Sequence, residues 1–157
     1  MEGYVKKIFY TIAILVLFVS CATSPTTGPT MTERIIEVQK SKSELFVASM
    51  DWIAKTFMSA KAVIEYQDKE AGKIVGHGSA LVNYAVIPMN THFTLTIDTK
   101  DNKARISIQG VYFETSSGGM INRNTADATM VARFMQLKGN AIFDSYAAAI
   151  TSKPAEW

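Results

Sequence analysis

Cys21 is the only cysteine in this 157-residue chain, and it stands at the end of an apolar run, far from both histidines. A lone thiol forms no internal disulfide, and without an adjacent base it is no activated nucleophile. The chemistry open to it is to carry a substituent. His77 and His92 are the only histidines. Alternation puts both on one face of a sheet. With the connection between their strands centred on Ile87-Pro88, Asn83 falls opposite His92 and His77 falls near Asp98. The two rings then lie about five residues apart along the sheet, too far to share a metal ion. Ser59-Ala60-Lys61 and Ser41-Lys42 lack the spacing of an acylating serine–lysine pair. The glycines of Gly72-Lys73-Ile74-Val75-Gly76-His77-Gly78 sit inside an alternating strand, so they do not form a phosphate loop before a helix. Asp51 falls on an outer helix surface, four residues from Lys55, and reads as a solvated carboxylate. No catalytic residue, metal ligand or cofactor site is expected.

The residues ahead of Cys21 explain its position. Lys6 and Lys7 precede an apolar run from Ile8 to Val19, too short to cross a bilayer comfortably. A basic start, an apolar core and a small residue before a cut site form an export signal. Leu17-Phe18-Val19-Ser20-Cys21-Ala22 resembles the lipobox of bacterial lipoproteins, with Phe18 where that pattern favours Leu. The resemblance implies cleavage before Cys21, a diacylglyceryl group on its thiol and a further acyl chain such as palmitate on the new amino terminus. Two or three chains anchor firmly where one binds marginally. Residues 1–20 are then the signal peptide, and 21–31 the lipidated cysteine with a flexible tether rich in Thr, Pro and Gly. The expected location is the bacterial cell envelope, in the outer rather than the inner membrane where both exist. Loss of Lys6, Lys7 and Glu2 with the signal takes the formal charge from +2 to +1. That balance gives no electrostatic case for a nucleic-acid partner.

Residues 32–150 read as one α+β domain, followed by a tail at 151–157. Thr32 to Val38 is a short strand. Ser41 and Glu44 form a capping box that opens a helix to about Ser59. Its stripe is Phe46, Met50, Ile53 and Phe57, flanked by Leu45 and Trp52. Trp52 is expected between this helix and the sheet. Four strands follow. Their inner faces are Ala62, Ile64 and Tyr66; then Ile74, Gly76, Gly78, Ala80, Val82 and Tyr84; then Phe93, Leu95 and Ile97; and last Ala104, Ile106, Ile108, Gly110 and Tyr112. Gly76 and Gly78 predict a helix close over the sheet. Asp101-Asn102 marks a tight hairpin turn. Glu114 to Arg123 reads as a loop. A last helix begins near Asn124 or Thr125, buries Met130, Phe134, Leu137 and Ala141, and is weakened by Gly139. The order is β-α-β-β-β-β-α, a single two-layer domain with two helices on one face of an antiparallel sheet.

These residues are similar to the bacterial lipoprotein family known as domain of unknown function 4468, which has a TBP-like fold. The resemblance runs through Lys42-Ser43-Glu44-Leu45-Phe46, Trp52, Phe57, Ala60-Lys61, Ile64, Asp68, Gly72-Lys73-Ile74 and Gly76-His77-Gly78. It continues through Phe93-Thr94-Leu95-Thr96-Ile97-Asp98, Lys100-Asp101 and Arg105. His77 departs from the family pattern, which favours a long polar residue there. The resemblance implies a TBP-like fold and no established activity. The TATA-binding protein itself reads DNA with a duplicated, basic sheet. This chain has one unit and almost no net charge.

The function expected is a noncatalytic binding or structural role in the envelope. The membrane is one partner, through lipid on Cys21, and an envelope protein or other envelope component is the second. A small-molecule sensor or carrier is the alternative, ahead of an enzyme with an unrecognised site. The expected recognition surface is the helix-free face of the sheet: Val63 and Glu65; His77, Ser79 and Leu81; His92, Thr94, Thr96 and Asp98; Arg105, Ser107 and Gln109. The hairpin turn sets Asp98 opposite Arg105. The first-strand edge near Ile35 is the competing site. Metabolic labelling with a radioactive fatty acid is expected to mark the wild-type protein and not Cys21→Ser. Mass spectrometry of the mature protein should find acylated Cys21 at its amino terminus.

Overall fold

The Ser41–Glu44 box starts the first helix as its residue types predict. In the computed structural model, which describes residues 31–57, 63–84, 87–117 and 120–152, helix α1 spans Lys42–Thr56. Ser41 accepts from the Glu44 amide, and Glu44 accepts from the Ser41 amide at 2.8 Å. Hydrogen bonds from Ser41 hold the Glu44 carboxyl below its ordinary range. Asp101, from the turn predicted at Asp101-Asn102, accepts from the Lys42 amide at 2.7 Å and satisfies another free helix amide. Cys21, the export signal and the tether through Thr30 lie outside the described residues. So do Ser59, Ala60, Lys61 and Ala62.

Strand β1 (Thr32–Glu37) precedes α1, and β2 (Val63–Asp68), β3 (Lys73–Tyr84), β4 (Ile87–Lys100), β5 (Lys103–Ser117) and β6 (Met120–Thr125) follow it. All pair antiparallel in one sheet ordered β1-β5-β4-β3-β2, with β6 on the far half of β5. The chain closes with α2 (Ala128–Phe134), a π-helical segment (Met135–Gly139) and α3 (Asn140–Thr151). This is the predicted α+β class with one strand more. The segment read as a loop, Glu114 to Arg123, is instead the end of β5 and most of β6. Its polar residues hide the alternation; Gly118-Gly119 between two β-capable runs is the hairpin signal that marks it.

The core follows the predicted alternation through most of the sheet. Ile74, Val82, Phe93, Leu95, Ile97, Ala104, Ile106 and Ile108 are all buried against Leu45, Phe46, Trp52 and Ile53. Trp52 is only 4 % exposed, in one core cluster with the inward residues of the sheet, and it also meets the last helix. It packs edge-on to Phe57 and Tyr146, at 5.5 and 5.0 Å between ring centroids, and donates to Ser145 Oγ at 3.0 Å. Ser49 shares that interface, fully buried; its hydroxyl is 2.6 Å from the Leu45 carbonyl and 2.9 Å from Tyr146 Oη. The close approach at Gly78 comes from the Phe93 ring on the neighbouring strand, not from a helix.

Three phase changes overturn predicted faces. A bulge between Ile64 and Tyr66 turns Tyr66 outward, where it is exposed. A second bulge, at Gly110 with φ +60°, sends Val111 and Phe113 inward and Tyr112 outward. The π-helical segment adds a residue to its turn, so the last buried stripe runs Val131, Phe134, Met135, Gly139, Phe143, Tyr146 and Ile150. Leu137 and Ala141 rotate outward, and Met135 lies over Gly139, where a Cβ would collide with its sulfur.

Burial pushes the Tyr146 phenol up to about 12, against an ordinary value of 10.0. Its stabilising contribution is complete below the unfolded value and is lost as pH rises through that window, because the unfolded chain releases its proton first. The loss is roughly 2–3 kcal/mol across the window. Urea denaturation at pH 9 and 11 should show wild type losing more stability than Tyr146→Phe over the same step.

Candidate functional site on the helix-free sheet face

Each outward side chain on this sheet is placed by an inward neighbour that the helices bury. Thr94, Thr96 and Asp98 alternate with Leu95 and Ile97 on β4, while Arg105, Ser107 and Gln109 alternate with Ile106 and Ile108 on β5. Val75, His77, Ser79 and Leu81 come from β3, and Glu33, Ile35 and Glu37 from β1. Thr96 and Ser107 are only 8 % and 5 % exposed although no helix covers them. They stand opposite each other at mid-sheet, with Val75 beside Thr96 and Glu33 beside Ser107. The floor of the face is therefore made of small hydroxyl residues flanked by larger ones.

Three polar clusters stand on that floor. Arg105 donates to Asp98 through Nη2 at 2.8 Å and Nε at 3.2 Å, and its Nη1 lies 3.6 Å from Glu33. The Asp98 hydrogen bonds raise the Arg105 guanidinium above its ordinary value. His77 sits between Glu65, with Nε2 to Oε2 at 2.9 Å, and Thr94, with Nδ1 to Oγ1 at 3.3 Å. His92 stacks on Tyr112 with centroids 4.8 Å apart and rings 8° from parallel. Its Nε2 lies 3.2 Å from Glu114 Oε2. Arg123 of β6 donates to the other Glu114 oxygen at 3.0 Å and holds that carboxyl below its ordinary range. Beside Arg105, a half-open cleft of about 310 Å³ is lined by Ile35, Glu37, Asp98, Lys100, Lys103, Ala104 and Arg105.

The predicted surface residues Glu65, His77, His92, Thr94, Asp98, Arg105 and Gln109 all stand on this face, with Thr96 in its floor. Asp98 is opposite Arg105, as the turn spacing predicts. The predicted β3–β4 register is wrong by four residues. His92 faces Ser79 rather than Asn83, and His77 faces Thr94 rather than lying near Asp98. Strand β4 begins at Ile87, so Ile87-Pro88 belongs to the strand instead of the connection. An even shift preserves which face each residue takes. The two histidines are consequently diagonal neighbours, each turned to its own carboxylate. Among the described residues, no group of three or more His, Cys, Asp or Glu is placed to hold a metal ion.

Tyr112, Glu114 and Arg123 belong to this face, although alternation alone assigns Tyr112 to the inner face and the other two fall in the segment predicted as a loop. The signal for Tyr112 is the apolar pair Val111 and Phe113 immediately after Gly110, which reverses the phase. What the arrangement offers chemically is a set of donors, acceptors and paired charges at fixed spacing, with the His77 imidazole between the Glu65 carboxylate and the Thr94 hydroxyl.

Residues 32–114 match the family described as a domain of unknown function (DUF4468) with TBP-like fold. Two solved structures are similar. One is a DUF4468 family protein from Bacteroides ovatus, with 12 % identity, a TM-score of 0.61, and coverage of 90 % of this chain and 98 % of that one. The other is a TBP-like protein from Parabacteroides distasonis, with 15 % identity, a TM-score of 0.63, and coverage of 83 % and 98 %. At these identities the likeness shows the fold alone. No curated protein matches the chain.

Gly110 places the Tyr112–His92 stack, and a side chain at its positive φ is strained although its Cβ would meet Thr94 Oγ1 at an ordinary 3.6 Å. Gly110→Ala should destabilise the domain by about 1–2 kcal/mol, and Gly110→Asn by less. Chemical denaturation of the two variants beside wild type checks both the cost and its order.

Proposed function

This chain belongs to the domain of unknown function 4468 family with TBP-like fold, and we propose that it is a noncatalytic binding module of the bacterial cell envelope. In this reading it is a lipoprotein held by lipid on Cys21, and the helix-free sheet face is its recognition surface. The observation that carries the reading is the face itself. Fold alone selects no ligand, so the case rests on the side chains. They are mostly polar, with Asp98–Arg105 and Glu65–His77 paired across neighbouring strands, and they are spread over the sheet rather than gathered in an enclosed pocket. Such a surface suits a wet contact of moderate strength with another macromolecule.

The tether supports a partner near the membrane. The chain from Cys21 to Thr32 can reach at most about 40 Å when fully extended. A lipid-anchored domain on that leash samples only the layer next to the bilayer, where other envelope components are concentrated. The near-neutral domain adds no electrostatic preference for nucleic acid.

Arg105→Glu together with Gln109→Glu changes the centre of the face and leaves its core untouched. Crosslinking of the native lipidated protein in membranes, read by mass spectrometry, is expected to lose the captured partner in this variant. The melting temperature should change little, since exposed ion pairs such as Asp98–Arg105 contribute about 0–1 kcal/mol. An unchanged set of crosslinks in the folded variant would remove the face from the reading.

A further inference from the structure

The sheet ends at β1, and the outer side of that strand carries no partner strand among the described residues. The Val38 amide donates to the Asn102 carbonyl at 3.0 Å, which fixes the hydrogen-bonding phase. By alternation, Thr32, Arg34 and Ile36 turn their backbone groups toward β5, and Glu33, Ile35 and Glu37 turn theirs away from it. The same three residues present their side chains on the helix-free face. Ile35 is 59 % exposed there, beside the 310 Å³ cleft, with one carboxylate on each side of it along the strand.

We propose that β1 is an acceptor edge for an extended segment of a partner protein, one that carries a basic, a large apolar and a second basic side chain at alternate positions. Added as a further strand, such a segment would take up the free amides and carbonyls of Glu33, Ile35 and Glu37. Its basic side chains would meet Glu33 and Glu37, and its apolar side chain would cover Ile35 at the mouth of the cleft. Opposite charges facing across a strand pair are favourable and like charges are not. The same rule disfavours a second copy of this chain. A two-fold pairing centred on Ile35 sets Glu33 against the other copy's Glu37. Centring one residue to either side sets Ile35 against a carboxylate. The inference rests on the proposed binding role of this face and names the partner chemistry at its β1 margin.

The probe is the dye-labelled peptide Thr-Lys-Thr-Leu-Thr-Lys-Thr, titrated by fluorescence anisotropy against the mature lipidated protein in detergent. Its charge-reversed counterpart, with Glu for Lys, is expected to bind about tenfold more weakly. Combined Glu33→Lys and Glu37→Lys substitution should reverse that preference. Ile35→Pro should abolish binding, because it removes an outward amide without touching the β1–β5 ladder, whereas Ile36→Pro would break that ladder. The charge-swap variant carries the test if the proline variant does not fold. No saturable binding of the lysine peptide overturns the proposal. So does binding that is lost in the Arg105→Glu, Gln109→Glu variant but kept in Ile35→Pro, an outcome that leaves the face reading intact. Dimerisation of the protein that Ile35→Pro abolishes would assign the edge to a second copy and also overturn it.

Discussion

The placement of nearly every outward side chain follows from one constraint, which is that strand side chains alternate and one face of this sheet is sealed by helices. Slipping β5 by one residue would expose Ile106 and Ile108 and bury Arg105. Each large aliphatic residue removed from the core forfeits about 1.5–3 kcal/mol, and an unpaired buried guanidinium costs more. A small domain without disulfides has only about 5–15 kcal/mol in all. Register is therefore strongly determined along β3, β4 and the first half of β5, and the open face is determined with it. The phase changes only where a residue is left out of the ladder, beside Glu65 and at Gly110. Everything beyond those points takes the opposite assignment.

That is also why the sequence is legible in some places and opaque in others. Asp98 and Arg105 are separated by a two-residue turn with positive φ at Asn102, so their pairing follows from local spacing. The β3–β4 pair is joined by a connection without such a marker, and its register is set by the match of Ile74 to Ile97 and Gly78 to Phe93 across the sheet. That match is a tertiary fact, absent from either strand alone. Tyr112 shows the same limit from another side. Read as a continuation of Ala104, Ile106 and Ile108, it belongs inside; one extra residue at Gly110 puts it outside against His92. The role of Ser49 is not legible in the sequence, because a serine within an apolar stripe carries no mark of its partner, Tyr146, which lies on the last helix.

The helices do more than cover the inner face, since they fasten the edge strand to it. Arg34 of β1 pairs with Asp144 at 2.5 Å, and its guanidinium lies 5.2 Å from the centre of the Phe143 ring. Lys40, just beyond β1, donates to the Ile150 and Ser152 carbonyls, both at 2.7 Å, where the end of α3 leaves acceptors free and favours a cation. Val38 and Lys40 join the Asn102 turn through backbone hydrogen bonds. A short edge strand tied at its inner side chains and at its end is held in the extended form before anything binds it. Ordering cost is thereby reduced for whatever pairs with its outer side.

Glu33 links that edge to the rest of the open face, because its carboxylate also lies 3.6 Å from Arg105. An exposed charge network of this kind contributes little to folding, so its members can exchange partners at small cost. A basic side chain arriving at Glu33 would compete with Arg105 and leave the Arg105–Asp98 hydrogen bonds in place. Glu37 has Lys100 and Lys103 within the same cleft. The two carboxylates thus have one physical consequence with two effects. Facing their own kind, they keep this edge from pairing with another copy, which is the usual hazard of an uncovered strand. Facing a basic segment, they supply the attraction that self-pairing lacks, so resistance to self-association and preference for an unlike partner arise from the same residues.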